Sequence, residues 1–191
     1  MPRPCLRYKM RQILAFLRHN ITHIVRTGIV FLLGFGIYAW MAGDFLREQS
    51  IAPHFVYLAQ AFLRGQMHLI EPVISSYDLL EYHDRLYVAH QPLPALLMMP
   101  FLKFITPINF PDVLFTVLLG AMSVALCDLT LAVMVPGLSQ VRRAILTVFF
   151  ALGTMHGYMS ALGTVWFTAQ IAATLFLWVF LLGMAWRLPW L

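Results

Sequence analysis

Residues 92–105 read PLPALLMMPFLKFI, and the treatment of this stretch decides the fold. It is apolar but only 14 residues long, with Pro100 inside it and Lys103 near its end. As a helix rising 1.5 Å per residue it would extend about 21 Å, short of the roughly 30 Å hydrocarbon core of a bilayer. It is therefore expected to lie in the outer membrane interface rather than to cross.

The charges on its C-terminal side support that reading. Residues 113–135 form a clear apolar span with one charge, Asp128, and Pro136-Gly137 ends it. Arg142 and Arg143 follow, and then 43 residues, 144–186, carry no formal charge. One straight helix of that length would measure about 65 Å, so it must fold into two spans, with a turn expected near Gly157–Gly163. If 92–105 crossed, the arginine pair would face outward. Cytoplasmic flanks favour Lys and Arg, so the non-crossing arrangement is preferred.

On the N-terminal side, Arg3, Arg7, Lys9, Arg11, Arg18 and Arg26 precede any acid. That is the pattern of a cytoplasmic flank. Residues 5–20 place Met10, Ile13, Leu14 and Leu17 on one stripe, fitting a helix on an anionic inner leaflet or, alternatively, a disordered basic leader. The 17 uncharged residues between Arg26 and Asp44 suffice to span if Arg26 snorkels. An uncleaved anchor is favoured over a signal peptide, whose apolar region is usually shorter.

The expectation is an all-α polytopic membrane protein of the cell membrane, both termini cytoplasmic, with about four transmembrane helices at 22–43, 112–135, 144–160 and 163–186. A leader (1–21) and a short loop (136–143) face the cytoplasm. A large first outer loop (44–111) holds interface helices at 53–64 and 92–105, with a small hairpin turning near His83-Asp84. The composition agrees: 61% of the 191 residues are hydrophobic and 11% charged, whereas a soluble domain carries roughly a quarter charged. The net charge of +5 does not imply nucleic acid, because the basic residues cluster at the N-terminus. Two cysteines, Cys5 and Cys127, give no disulfide framework, and there is no metal-ligand spacing, phosphate loop or cofactor motif.

The order of these features resembles the GT-C class of membrane glycosyltransferases, in particular the family-39-like, dolichyl-phosphate-mannose mannosyltransferase type. Such proteins have a first span and then an outer loop with two interface helices. The first is similar to APHFVYLAQAFLRGQMHL here, and the second opens with a Pro-Pro-Leu-like motif that resembles His90-Gln91-Pro92-Leu93-Pro94-Ala95-Leu96. GTMHGYMSALGTVWFTAQIAATLF also looks like later spans of bacterial members. The resemblance covers roughly residues 24–186 and implies transfer of a sugar from a polyprenyl-phosphate donor at the outer face. Two features depart from it. The family's acidic residues at the start of the first interface helix are replaced by Pro53 and His54, and the family's enzymes are two or three times longer. The chain is thus expected to be a fragment, a split gene product or a degenerate relative, with a missing C-terminal part or an additional membrane subunit as partner.

That chemistry needs a base at the interface for the acceptor hydroxyl and cations for the departing phosphate. Asp44, just beyond the first span, and His54, at the family's acidic position, are the catalytic candidates. Each can instead be an ordinary interface residue. Arg64, Asp78, Arg85, His90 and Lys103 are the substrate-binding candidates; the cations can equally snorkel to headgroups. Tyr57, Tyr82, Tyr87 and Trp166 either stack on sugar or form the aromatic belt. Asp128 lies roughly 10 Å inside its span, where an unpaired acid is costly, and a structural pair with Arg26 is expected. Gly153 and Gly157 form a small-xxx-small pair around His156, which is expected to pack inside. Against the enzyme stand two alternatives: a non-catalytic accessory or scaffold protein, and, less favoured, a small transporter using Asp128.

Overall fold

The computed structural model describes residues 4–70 and 77–187, with side chains described from 21 to 185. The basic part of the leader, whose stripe was read as interfacial, has its side chains outside the described residues. Its backbone continues without interruption into the first span, as α1 (Pro4–Ala42).

The protein is all-α and of membrane type. Three helical stretches are long and apolar enough to cross a bilayer: Ile21–Arg47, Asp112–Met134 and Val165–Ala185. The first comprises the end of α1 and a 3-10 turn, Gly43–Arg47. The second is α4 (Asp112–Met134) and the third lies within α7 (Val165–Arg187). A fourth crossing is divided between α5 (Gln140–Leu152) and α6 (Met155–Leu162), bent by 50°. Of the α4 span 56% is buried, against 17% for α1 and 33% for α7, so α4 is the central post.

Contacts along α4 show how the bent pair travels. Arg143 and Thr147 of α5 meet Asp128. His156 of α6 reaches the carbonyl of Gly120 at 3.2 Å, and Gly163, which closes α6, lies against Val113. From Asp128 to Val113 is about 22 Å of helix. The pair therefore advances from one end of α4 to the other and does not return to its starting face. The last two spans were expected at 144–160 and 163–186, joined by a turn near Gly157–Gly163. The turn is at Gly163, but the crossing is also broken at Gly153-Thr154. There Thr154 Oγ1 accepts the His156 N–H at 3.1 Å and opens a new helix. Gly157 sits against Tyr38 and the Ala151 carbonyl, so the small residue does serve close packing.

Between helices the fastening is local and polar. Tyr38 of α1 donates to the Ala151 carbonyl at 3.0 Å, and Thr116 of α4 shares a hydrogen bond with Thr168 of α7 at 2.7 Å. Gly120 has no room for a side chain, because Ser160 fills the space.

The remaining chain caps one end of the bundle, here termed the loop face. It contains α2 (His54–Leu63), a hairpin of β1 (Leu79–Tyr82) and β2 (Arg85–Val88), and α3 (Leu93–Met98). The strands pair from Leu79↔Val88 to Tyr82↔Arg85, turning at His83 and Asp84, which adopt positive φ. Two expectations are corrected. The helix read over 92–105 is only α3; Pro100 ends it, and a 3-10 turn, Phe101–Lys103, follows. The helix read over 53–64 does form, but not along the surface: His54–Ala61 are all buried. HFVYLAQA is apolar around nearly its whole circumference, so one-sided contact would leave apolar surface in water. It packs into one cluster with α3 and residues such as Phe115, Val165 and Ile171 of α4 and α7.

Gly163 carries the junction of α6 and α7. Its φ is +67°, and a Cβ there would stand 2.6 Å from the Val113 Cα. Gly163→Ala is expected to destabilise the bundle by about 2–4 kcal/mol. This would read as a drop of roughly 5 °C or more in the melting temperature of detergent-purified protein. An unchanged melting temperature would contradict this close approach.

Candidate functional site

Two polar centres lie at opposite ends of the bundle. The first is built on Asp128, only 2% exposed. Arg26 approaches it as a fork, Nε to Oδ2 at 2.9 Å and Nη2 to Oδ1 at 2.8 Å. The expected Arg26–Asp128 pair is therefore present. Sequence reasoning missed its third member. Arg143 is buried, with Nε 3.4 Å from Oδ1, and Thr147 Oγ1 lies 3.3 Å from the same oxygen. Gln140 Oε1 accepts from both Arg26 and Arg143. Arg143 was read as a loop residue because it follows Pro136-Gly137 closely. Its place on α5, one turn before Thr147, is the signal that identifies it. The centre joins α1, α4 and α5 by charge-assisted hydrogen bonds, which are strongest where water is scarce.

The second centre is at the loop face. His54, at the first turn of α2, is completely buried, and its Nε2 lies 2.7 Å from the Tyr77 carbonyl. A carbonyl only accepts, so Nε2 carries the proton, and the neutral ring keeps a lone pair on Nδ1. That atom is buried with no hydrogen-bond partner among the described residues. Burial keeps the His54 pKa below the ordinary histidine value, against the upward pull of the Tyr77 carbonyl and the Asp78 charge; His90 adds to the lowering.

The hairpin brings Asp78 and His90 to this histidine. Since Leu79 pairs with Val88, Asp78 and Ala89 follow at the hairpin base, with His90 next. Asp78 is exposed and adopts φ +61°, while His90 is half-buried with its ring edge against Phe55. The Tyr77 ring meets Trp166 edge-on at 6.1 Å. Trp166 and His90 in turn line a cavity of about 490 Å³ with Gln91 and Gln170. Aromatic faces beside amide and imidazole groups suit a hydroxyl-rich ligand.

The other candidates stand elsewhere. Asp44 is exposed on the 3-10 turn after α1 and is not part of this cavity. Arg64 and Lys103 line a separate cleft of about 310 Å³ with Thr106 and Pro107. Arg64 lies ten residues beyond His54 along α2 and its cap, about 15 Å away. Arg85 is exposed at the hairpin tip. The structure thus brings together His54, Asp78 and His90, and does not join to them Asp44, Arg64, Arg85 or Lys103. Among the described residues, no three His, Cys, Asp or Glu side chains are grouped to hold a metal ion.

Asp112 was also missed. It is buried at the start of α4, and its carboxylate accepts from Ser50 N at 2.7 Å and Ser50 Oγ at 2.6 Å. An acid directly after Pro111 at a span boundary, where the helix N-terminus favours negative charge, was the available signal. No protein-family model, characterised protein or solved structure matches the chain.

Asp128→Asn leaves two arginines facing one another and is expected to cost about 3–5 kcal/mol. Arg26→Gln with Asp128→Asn should cost less than the sum of the single changes, measured by thermal unfolding in detergent; additivity would contradict a coupled pair. For His54, the unfolded ring binds a proton near pH ~6.5 and the folded ring only below that. Between those two values the unfolded state holds more protons, so the stability due to His54 is complete above ~6.5 and is lost as pH falls. Hydrogen exchange of the hairpin amides, corrected for intrinsic rate, should therefore speed up from pH 7.5 to 5.5. The acceleration should be absent in His54→Gln.

Proposed function

We propose that the protein handles a polyprenyl-phosphate sugar at its loop face, as a glycosyltransferase-type protein of the cell membrane. Both termini lie in the cytoplasm and the loop face lies outside. The observation that carries this reading is the meeting of His54 and Asp78 with His90, which itself lines a cavity with Trp166 and Gln170. The lipid tail of such a donor stays in the bilayer, which puts its sugar and phosphate at the level of this face. The clustered N-terminal arginines and the Arg142-Arg143 pair favour the other face as cytoplasmic.

In this mechanism Asp78 is the base, as the exposed carboxylate at the hairpin base, across from Ala89 and next to the register position of His90. It takes the proton of the acceptor hydroxyl as that oxygen bonds to the anomeric carbon. The bond from that carbon to the phosphate oxygen breaks, and its electron pair leaves with the lipid phosphate. His90 is the group placed to donate to the departing oxygen. His54 positions the turn through the Tyr77 carbonyl and does not itself reach the acceptor.

One observation favours a second reading, a non-catalytic accessory protein. Arg64 is about 15 Å of helix from His54, and Lys103 lines the same separate cleft as Arg64, so neither cation lines the cavity of His90 and Trp166 where the sugar would sit. Transfer and binding assays on reconstituted protein with a radiolabelled polyprenyl-phosphate hexose separate the two. The enzyme reading expects Asp78→Asn to reduce transfer by roughly 10²-fold or more while donor binding persists. The accessory reading expects binding without transfer in the wild type. Neither binding nor transfer with any polyprenyl-phosphate sugar would refute both.

A further inference from the structure

The other end of the bundle carries a feature that the proposed function does not use. α1 and α5 both pack on α4 but hardly on each other. They leave a groove of about 240 Å³, its floor formed by Val124 and its walls by residues such as Val30, Leu33, Val148 and Leu152. It is almost wholly apolar along its length and ends on Arg26 and Asp128 at one end and near Tyr38 at the other. Arg26 and Tyr38 are twelve residues apart, so the groove runs about 18 Å along the bilayer normal.

The charged end is not neutral. Arg26 and Arg143 gather there against one carboxylate, Asp128, leaving two positive charges against one negative among the described residues. The N-terminus of α5, which begins at Gln140, adds the positive end of a helix dipole in place of an opposing charge. Arg143 is nearly buried, its side chain 6% exposed, and its Nε, 3.4 Å from Asp128 Oδ1, has no hydrogen-bond partner among the described residues. An uncompensated excess of positive charge at the edge of hydrocarbon is unfavourable without an anion.

We infer that this groove binds an anionic phospholipid of the facing leaflet, one acyl chain lying between α1 and α5 and the phosphate at the Arg26 end. Charge complementarity selects the anionic headgroup, and the narrow apolar walls select a single chain. A helix about 10 Å across would have to force α1 away from α5 to enter. Basic pockets between spans on the cytoplasmic side are a recurrent setting for anionic lipid headgroups. The site lies opposite the loop face and stands whether or not the protein transfers sugar.

Full-length protein in mild detergent, titrated with phosphatidylglycerol, phosphatidylcholine or glycerol 3-phosphate, tests this by thermal unfolding and native mass spectrometry. Phosphatidylglycerol at saturation should raise the melting temperature by roughly 5 °C or more and persist as a one-to-one adduct. Phosphatidylcholine should do so weakly, and glycerol 3-phosphate, which has no chain, not at all. Val148→Trp, at an exposed wall position that leaves the ion cluster intact, should abolish the adduct. Equal stabilisation by both lipids, full stabilisation by glycerol 3-phosphate, or an adduct that survives Val148→Trp would overturn the inference.

Discussion

A single carboxylate inside apolar helices fixes the organisation of this protein. Asp128 is buried near one end of the central helix, and a lone acid there would have to be neutralised or paired. Arg26 pairs with it through two parallel hydrogen bonds, which define the height of α1 on α4 as well as their contact. Arg143 and Thr147 bring α5 to the same carboxylate, so three helices share one level. Once that level is set, the contacts of α5 and α6 climb α4 in order to Val113. The crossing of the bent pair thus follows from where it is anchored and where it ends.

The opposite face is organised by burial rather than by charge. α2 is too short to span and too apolar to lie on a surface, so α3, the hairpin and the ends of α4 and α7 enclose it. This enclosure takes His54 out of water, and its hydrogen bond to the Tyr77 carbonyl then anchors the base of the hairpin. The hairpin register sets Asp78 across from Ala89, and His90, the next residue, lines the Trp166 cavity. Ser50 and Asp112 close the same face at the entry to α4, satisfying a buried carboxylate with two donors from one residue.

Much of this was legible in the sequence because the bilayer imposes a simple length rule. The uncharged runs before Asp44 and before Pro136 give α1 and α4, and the depth of Asp128 with the position of Arg26 gives their pairing. What was hidden depends on partners distant in sequence. Arg143 reads as a loop cation until α5 is seen to start at Gln140. The break at Gly153-Thr154 lies in a long uncharged run, where one hydroxyl cap has little weight against the apolar pattern. Asp44 was favoured as a base because it is first beyond a span, but proximity to the interface does not specify a direction around the bundle, and it is Asp78 that the hairpin sets near His54 and His90. The spread of Arg64, Arg85 and Lys103 could not be foreseen either, since the path of α2 and the hairpin decides it.

The two polar centres require the hairpin and the loop before α5 to lie on opposite sides of the membrane. Single cysteines at Glu81 and at Pro136, both exposed, test this in a background with Cys5 and Cys127 replaced by alanine. A membrane-impermeant maleimide applied to intact cells should label the Glu81→Cys protein directly and the Pro136→Cys protein only after permeabilisation. Labelling of both from the same side would contradict the crossing of α5 and α6 and the placement of the two polar centres built on it.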